Sequence, residues 1–409
     1  MCAFANLFLT LFLFDGIVSL LDELIILLFS TSLLTLLRQP LALLVTVLVI
    51  PLFIGLAINQ RLPKRIFLPQ IAFIIWSFAG LWPLPAIIGS QPTALLAAAA
   101  QVLLGMLPLV MVRRRLRQRW ELRRELFARP TFNRRYFIKF TATSLISVPF
   151  VLLLTGWLMA CYLVYHQSGG FVRLATDGLY MVERDYVREG KTIRLSSMIH
   201  VGDRAFYDEM ARAKGAGRTV ILVEGVTDRD GRLVHAFNYM GLAGVLGLSS
   251  QESMAMDGRL LTAGEFDTPE FVAAGQNRPD IIIADLDISD FNVVTINFFN
   301  TLGIHLRDGE SFIDGFKSFL LWSNENMTPA MNATITADII DKRNAAVDAW
   351  LSKVLGYYDT VLIPWGALHM AGIEQAVIRR GFQPITSEER LSIDFSTLPY
   401  RAFFDALQQ

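Results

Sequence analysis

Two things are scarce in this chain of 409 residues: cysteine, and charge over its first third. Cys2 and Cys161 are the only cysteines, and both lie in apolar stretches. No disulfide framework and no CxxC site can therefore be built from residues 166–409. Charged residues make up 18% of the chain and hydrophobic ones 53%. That balance excludes a disordered or wholly soluble chain and points to membrane segments. The formal net charge of zero hides an asymmetry. Residues 1–139 carry 15 Lys/Arg against 5 Asp/Glu, whereas residues 166–409 carry 22 against 32. A basic part is joined to an acidic part, which reads as two physical objects. The basic charge sits beside apolar runs and not on the polar half, so a nucleic-acid binder is excluded.

Residues 1–112 hold seven charged side chains, and Ile66 to Val112 holds none. A soluble helix needs a polar face, so runs of this kind read as spans. The apolar runs predict spans at 17–37, 41–58, 66–84, 93–112 and 140–165. Each is close to the length that crosses about 30 Å of hydrocarbon at about 1.5 Å per residue. The segment 113–139 holds 11 basic and 2 acidic residues. The bias of Lys and Arg toward the inner side makes it a cytoplasmic loop lying on lipid headgroups. The last span then exits outward and leaves the C-terminal part outside the cytoplasm. The chain is thus expected to have a membrane domain over 1–165, a short linker over 166–180 and an extracytoplasmic domain over 181–409. Asp22 and Glu23 fall inside the first predicted span, where ionisable groups call for an explanation. The sequence predicts that this helix is offset, or that the pair sits near one interface.

After the linker, helices alternate with near-continuous apolar strands: 192–199, 218–224, 280–286 and 359–364. Unbroken apolar strands belong to a sheet covered on both faces, which predicts an α/β or α+β domain with a largely parallel central sheet. Polar residues stand where each strand ends: His200, Glu224, Asp285 with Asp287, and His369. In open α/β sheets ligands gather outside the carboxyl ends of the strands. Two imidazoles and two or three carboxylates brought to one rim suit a divalent metal or acid–base catalysis. Asp285 and Asp287 point to opposite sides of a strand, so one of them at most faces such a site. Asp290 is read as the N-cap of the helix that follows. His235 and His305 have no strand-end context and are assigned to loop or surface.

The order IHVGDRAFYDEM, ILVEG, LGLSSQ, KRNAAVDAWL and WGALHMAGIEQAVIRRGF resembles the TraB/PrgY/Tiki superfamily, which includes GumN-like proteins. The resemblance runs from Thr192 to Phe382 and does not touch the membrane half. It implies an active site built on two GxxH motifs, here Ser197 to His200 and Gly366 to His369. It further implies metal ligation by His200, Glu224 and His369, with manganese, cobalt or zinc as the ion. Arg343 and Asn344 match a basic–polar pair near the family's site. Ser197 stands in place of the first motif glycine, and Lys342 where an acidic residue precedes the arginine. The implied function is a membrane-anchored metal-dependent hydrolase acting on a peptide or protein. In it Asp285 would be general base and Arg343 would stabilise the oxyanion. The alternative is a module that binds a peptide, a haem or a signal without turnover and couples it to the membrane domain.

Overall fold

The computed structural model describes residues 2–400 apart from 60–61, 63, 117–131, 235–242, 244–246, 252–253, 267, 269–270, 274, 276–277 and 309–311. The middle of the basic segment, Arg61 and His235 lie outside the described residues. The chain divides into two compact units, 1–160 and 161–409.

The first unit is helical. Its helices are α1 (Cys2–Phe29), α2 (Thr35–Ile58), α3 (Lys64–Phe78), α4 (Leu84–Ile88), α5 (Ser90–Leu116) and α6 (Arg134–Gln167), the last continuing into the second unit. Among the described residues, three helices are long and apolar enough to cross a membrane: Thr35–Ile58, Ser90–Val110 and Arg134–Gln167. The reading of five spans is corrected at two places. The expected span 17–37 straddles a break, because α1 ends at Phe29 and α2 starts at Thr35. The expected span 66–84 is a helix of 15 residues, about 22 Å at the helical rise and short of a membrane core.

Asp22 holds the break together. Its carboxylate accepts from Leu34 N at 3.0 Å and from Thr35 Oγ1 at 2.9 Å, and so caps the start of α2. Glu23 accepts from Arg38 at 2.5 Å and from Gln91 Nε2 at 3.2 Å. Phe8 and Phe12 of α1 pack with Val45, Leu52 and Leu56 of α2 and with Phe67 and Ile71 of α3. Helices α1 and α5 meet closely. A Cβ on Gly105 would lie 3.0 Å from that of Leu13, the small-residue contact that lets apolar helices approach. Asp15, buried on α1, accepts from Gln101 Nε2 of α5 at 2.7 Å.

The second unit is built on an eight-stranded mixed sheet. Strands β3 (Lys191–Met198), β9 (Thr360–Gly366), β5 (Thr219–Val223), β8 (Asp280–Ile283) and β7 (Arg259–Leu261) lie side by side in that order and run parallel. Strand β2 (Gly178–Arg188) joins β3 antiparallel, and β1 (Val172–Leu174) and β10 (Gln383–Asp394) pair with β2. A separate ribbon pairs β4 (Val201–Gly202) with β6 (Ser249–Ser250). The stretch 166–180 is therefore not a linker: it holds the end of α6, β1 and the start of β2.

Val361, Leu362 and Ile363 are consecutive and all buried. Neighbours along a strand face opposite sides, so this central strand is covered on both. Helices α12 (Arg343–Val354) and α13 (Ala367–Arg379) supply Val347, Leu351 and Val354, and Met370, Ile373 and Val377, to the core around it.

Candidate functional site

Register brings the strand ends level. Met198 of β3 pairs with Gly366 of β9, Ile221 of β5 with Leu362 of β9, and Val223 of β5 with Ile283 of β8. Parallel strands in register finish on one rim, so the residues that follow them share that rim. Glu224 comes directly after β5 and Asp285 shortly after β8. His200 comes just after β3, and His369 stands in the first turn of α13.

The centre of the cluster is Arg343. It is delivered by a π-helical turn, Ala337–Lys342, directly before α12. Such turns shift the phase of the residues after them and recur at functional sites. Asp338 secures this turn, accepting from Asn292 N and Thr295 Oγ1 at 2.6 Å each and pairing with Lys342 at 2.7 Å. Arg343 Nε donates to Asp285 Oδ1 at 2.9 Å and Nη2 to Asp285 Oδ2 at 2.6 Å, a bidentate pair. Nη2 also donates to Glu224 Oε1 at 2.7 Å, and Nη1 lies 3.1 Å from His369 Nε2. Burial works against the charge of Arg343. The hydrogen bonds and charges of Asp285 and Glu224 outweigh it and raise its pKa.

The protonation of His369 follows from its neighbours. A guanidinium has no acceptor, so Nε2 must accept and carry no proton. The ring then bears its hydrogen on Nδ1, which lies 2.9 Å from Asn344 Oδ1 and donates to it. Burial, and then the Arg343 charge, pushes the pKa of His369 down to about 4. Trp365, wholly buried, donates from Nε1 to Leu222 O at 3.0 Å and meets His369 edge-on.

Gly366 N donates to Glu224 Oε2 at 2.7 Å. A Cβ at Gly366 would come within 3.2 Å of the same oxygen, so glycine there allows the close approach. Ser197 takes a different part. It lies inside β3, where its hydroxyl donates to Phe171 O at 2.9 Å and accepts from Val182 N at 3.0 Å. No tight turn requires glycine at that position. Lys342, besides pairing with Asp338, donates to Asp290 O at 3.0 Å.

The structure thus brings Glu224, Asp285, Arg343, Asn344 and His369 into one hydrogen-bonded cluster. His200 is exposed and lines the same cavity as Glu224 and Arg343. Asp287 is left out of the cluster: it accepts from Thr227 and Ser289 and caps a short turn, Ile288–Asp290. Asp290 closes that capping box, and Asn292 stands before the next helix (α9, Val293–Asp308), so Asp290 is not its N-cap. His305 bonds Ser318.

The expected metal triad of His200, Glu224 and His369 does not fit. A metal bound at about 2 Å needs the one lone pair of neutral His369, at Nε2, which is directed at the Arg343 guanidinium, and Glu224 Oε1 holds the same guanidinium. A cation placed there would meet one already present. Among the described residues no group of three His, Cys, Asp or Glu is arranged to hold a metal.

The cavity has a volume of about 690 Å³, a size typical of small-molecule sites. Most of its wall is apolar, from Met254, Met256, Ile288, Phe291, Phe299 and Ile339. Sequence reasoning missed this wall, which is gathered from loops (Met254, Met256, Phe291), two short turns (Ile288, Ile339) and α9 (Phe299). It also missed Gly372, in the interior of α13. A Cβ there would lie 2.3 Å from Asn344 Nδ2, so this glycine leaves the space that Asn344 occupies. The signal was available, because glycine inside a helix costs about 1 kcal/mol relative to alanine and calls for a reason. Compared with protein-family models, curated proteins and solved structures, the chain matches none.

Proposed function

We propose that the chain is a membrane-anchored hydrolase whose C-terminal domain lies outside the cytoplasm and cleaves a carbonyl compound, a peptide bond included. The observation that carries this reading is the cluster itself. A buried guanidinium, held by two carboxylates and a neutral imidazole, forms part of the wall of a cavity that a second, exposed imidazole also lines.

The roles follow from donors and acceptors. Among the described residues, four of the five guanidinium N–H bonds are taken by Asp285, Glu224 and His369. The fifth, on Nη1, is left for the oxygen of a bound carbonyl, where it stabilises the charge that develops on attack. His200 takes the proton of the attacking water and returns it to the leaving nitrogen or oxygen. Asp285 and Glu224 hold Arg343 in place, and Asn344 fixes the tautomer of His369. No metal takes part in any of these steps.

The test uses the full chain in lipid nanodiscs with a panel of chromogenic esters and short peptides. Turnover is expected to persist in chelator and to fall about 10²-fold or more in His200→Ala and Arg343→Lys. Turnover unchanged in His200→Ala sinks the assignment. Activity lost to chelator and restored by manganese or cobalt sinks the metal-free arrangement.

A second reading is favoured by one observation: Asp285 and His369 spend their hydrogen-bonding capacity on the cluster and on adjacent backbone N–H groups. That suits a module that holds a ligand without converting it. Tight binding with no product across the panel selects this reading. Sidedness rests on the basic segment 113–139, and labelling of a cysteine introduced at exposed Lys353 in intact cells tests it.

A further inference from the structure

The chemistry of the cavity narrows the ligand beyond "a carbonyl compound". We propose that it takes an uncharged amide carrying a long apolar chain, with the carbonyl on Arg343 and the amide N–H on Gln251, and turns away the free carboxylate. This rests on the hydrolase reading for its biological sense, but its evidence and its test concern binding alone.

Three observations converge. The first is the wall. Methionine and phenylalanine side chains at 254, 256, 291 and 299 face the cavity, and methionine adapts to irregular apolar shapes. An extended polar ligand would leave this wall unmatched, whereas an alkyl chain buries against it.

The second is the charge count. Arg343 contributes one positive charge and Glu224 and Asp285 one negative charge each, while His369 is neutral through its hydrogen bonds. The cluster therefore carries one net negative charge. A guanidinium that recognises a carboxylate must have its fork free, and this one is already occupied by Asp285. An anionic head would meet a matched cation and a surplus carboxylate. A neutral carbonyl accepts the remaining Nη1–H without bringing charge. Hydrolysis converts the favoured neutral group into the disfavoured anion, so the same count expels the acid product.

The third is an orphaned acceptor. Gln251 lines the cavity, and its Oε1 is buried with no hydrogen-bond partner among the described residues. Its backbone N–H is spent on His200 O at 2.9 Å, which ties Gln251 to the strand end carrying the exposed imidazole. A buried acceptor without a donor is costly, and a ligand N–H that meets it when the Gln251 side chain turns into the cavity relieves that cost. An amide supplies one and an ester does not.

The experiment compares octanamide, methyl octanoate, octanoate and acetamide at pH 7.5 on the full chain in nanodiscs. Saturation-transfer NMR reads the affinities, and empty nanodiscs supply the lipid-partition background. Octanamide is expected to bind about tenfold tighter than methyl octanoate and at least about tenfold tighter than octanoate, with acetamide undetected. Gln251→Met, close in shape, should bring the affinities for amide and ester within about twofold of each other. Thermal unfolding of that variant controls for folding. Octanoate binding as tightly as octanamide overturns the proposal, and so does an amide preference that survives Gln251→Met. Absence of hydrolysis with the binding order intact would sink the hydrolase reading and leave this one standing. Hydrolysis with the order reversed would do the opposite.

Discussion

The two units of this chain each contain a cluster of two acids and one arginine. In the first, Asp22 and Glu23 are bound to Arg38; in the second, Glu224 and Asp285 are bound to Arg343. The ingredients match, but the neighbours differ. Arg38 is 15 residues from Glu23 along the chain, sits in the first turn of the next helix and is one-third exposed. Its acids close a helical corner, and Asp22 spends both oxygens on the start of that helix. Arg343 gathers acids from 58 and 119 residues away, is nearly buried, and adds an imidazole and a cavity. The first cluster shapes a turn. The second holds a polarised donor against a space large enough for a ligand. An ion cluster therefore says little about function until one asks what else touches it and whether a ligand can reach it.

The sharpest way to break this contrast is to remove both arginines. Arg343→Met leaves two carboxylates in a buried site without their counter-ion, a change that typically costs about 3–5 kcal/mol. Denaturant unfolding of the second unit, followed in the full chain, should show that loss together with loss of turnover. A loss below about 1 kcal/mol would mean that water enters the cluster, and that it resembles the Arg38 corner after all.

Next comes pH, which acts on the second cluster through its imidazole. The unfolded His369 titrates near 6.5 and the folded one near 4, so between these values the unfolded chain binds more protons. The stability supplied by neutral His369 is complete above about 6.5 and is lost as pH falls toward 4. The loss is on the order of 3 kcal/mol. Melting temperatures from pH 8 to pH 4 should fall in this window, and His369→Gln should flatten that part of the curve. An unchanged profile in the variant would show that His369 is not held neutral.

Much of this site was legible before any coordinates, for a physical reason. Strands β5 and β9 are apolar without interruption because both faces are covered, and such runs announce their ends. Polar residues at those ends, His200, Glu224, Asp285 and His369, had to arrive on one rim. What occupies the centre was not legible. Spacing cannot say whether two carboxylates and an imidazole surround a metal or a guanidinium, since both satisfy the same lone pairs. Strands β2 and β10 were missed for a related reason. Segments such as ERDYVR and SEERLS carry charge on a half-exposed surface, and hydrophobic patterning does not see them. The break between α1 and α2 was hidden because it depends on Asp22 reaching 12 residues ahead to Leu34, a contact that hydropathy ignores.

Gly372→Ala sharpens the contrast from inside the second cluster. The added Cβ would collide with Asn344, so either the helix shifts or Asn344 swings away from His369 Nδ1. Overpacking of this kind costs about 1–3 kcal/mol, offset by about 1 kcal/mol from replacing glycine within a helix. Turnover should therefore fall more than stability does. If Asn344→Ala reproduces the same loss of turnover, the glycine acts through the asparagine. An additive double variant would show instead that the two are independent.

The smallest effect belongs to Arg38→Met. Asp22 keeps Leu34 N and Thr35 Oγ1, and Glu23 keeps Gln91, so neither acid is stranded. Arg38 is itself partly exposed, and the loss should be about 1 kcal/mol or less, with turnover and ligand affinity in the second unit untouched. Asp22→Ala removes the cap of α2 as well as the pair, and should cost about 1 kcal/mol more. If Arg38→Met instead cost as much as Arg343→Met, burial would not be what separates the two clusters, and the first would have to be searched for a ligand too.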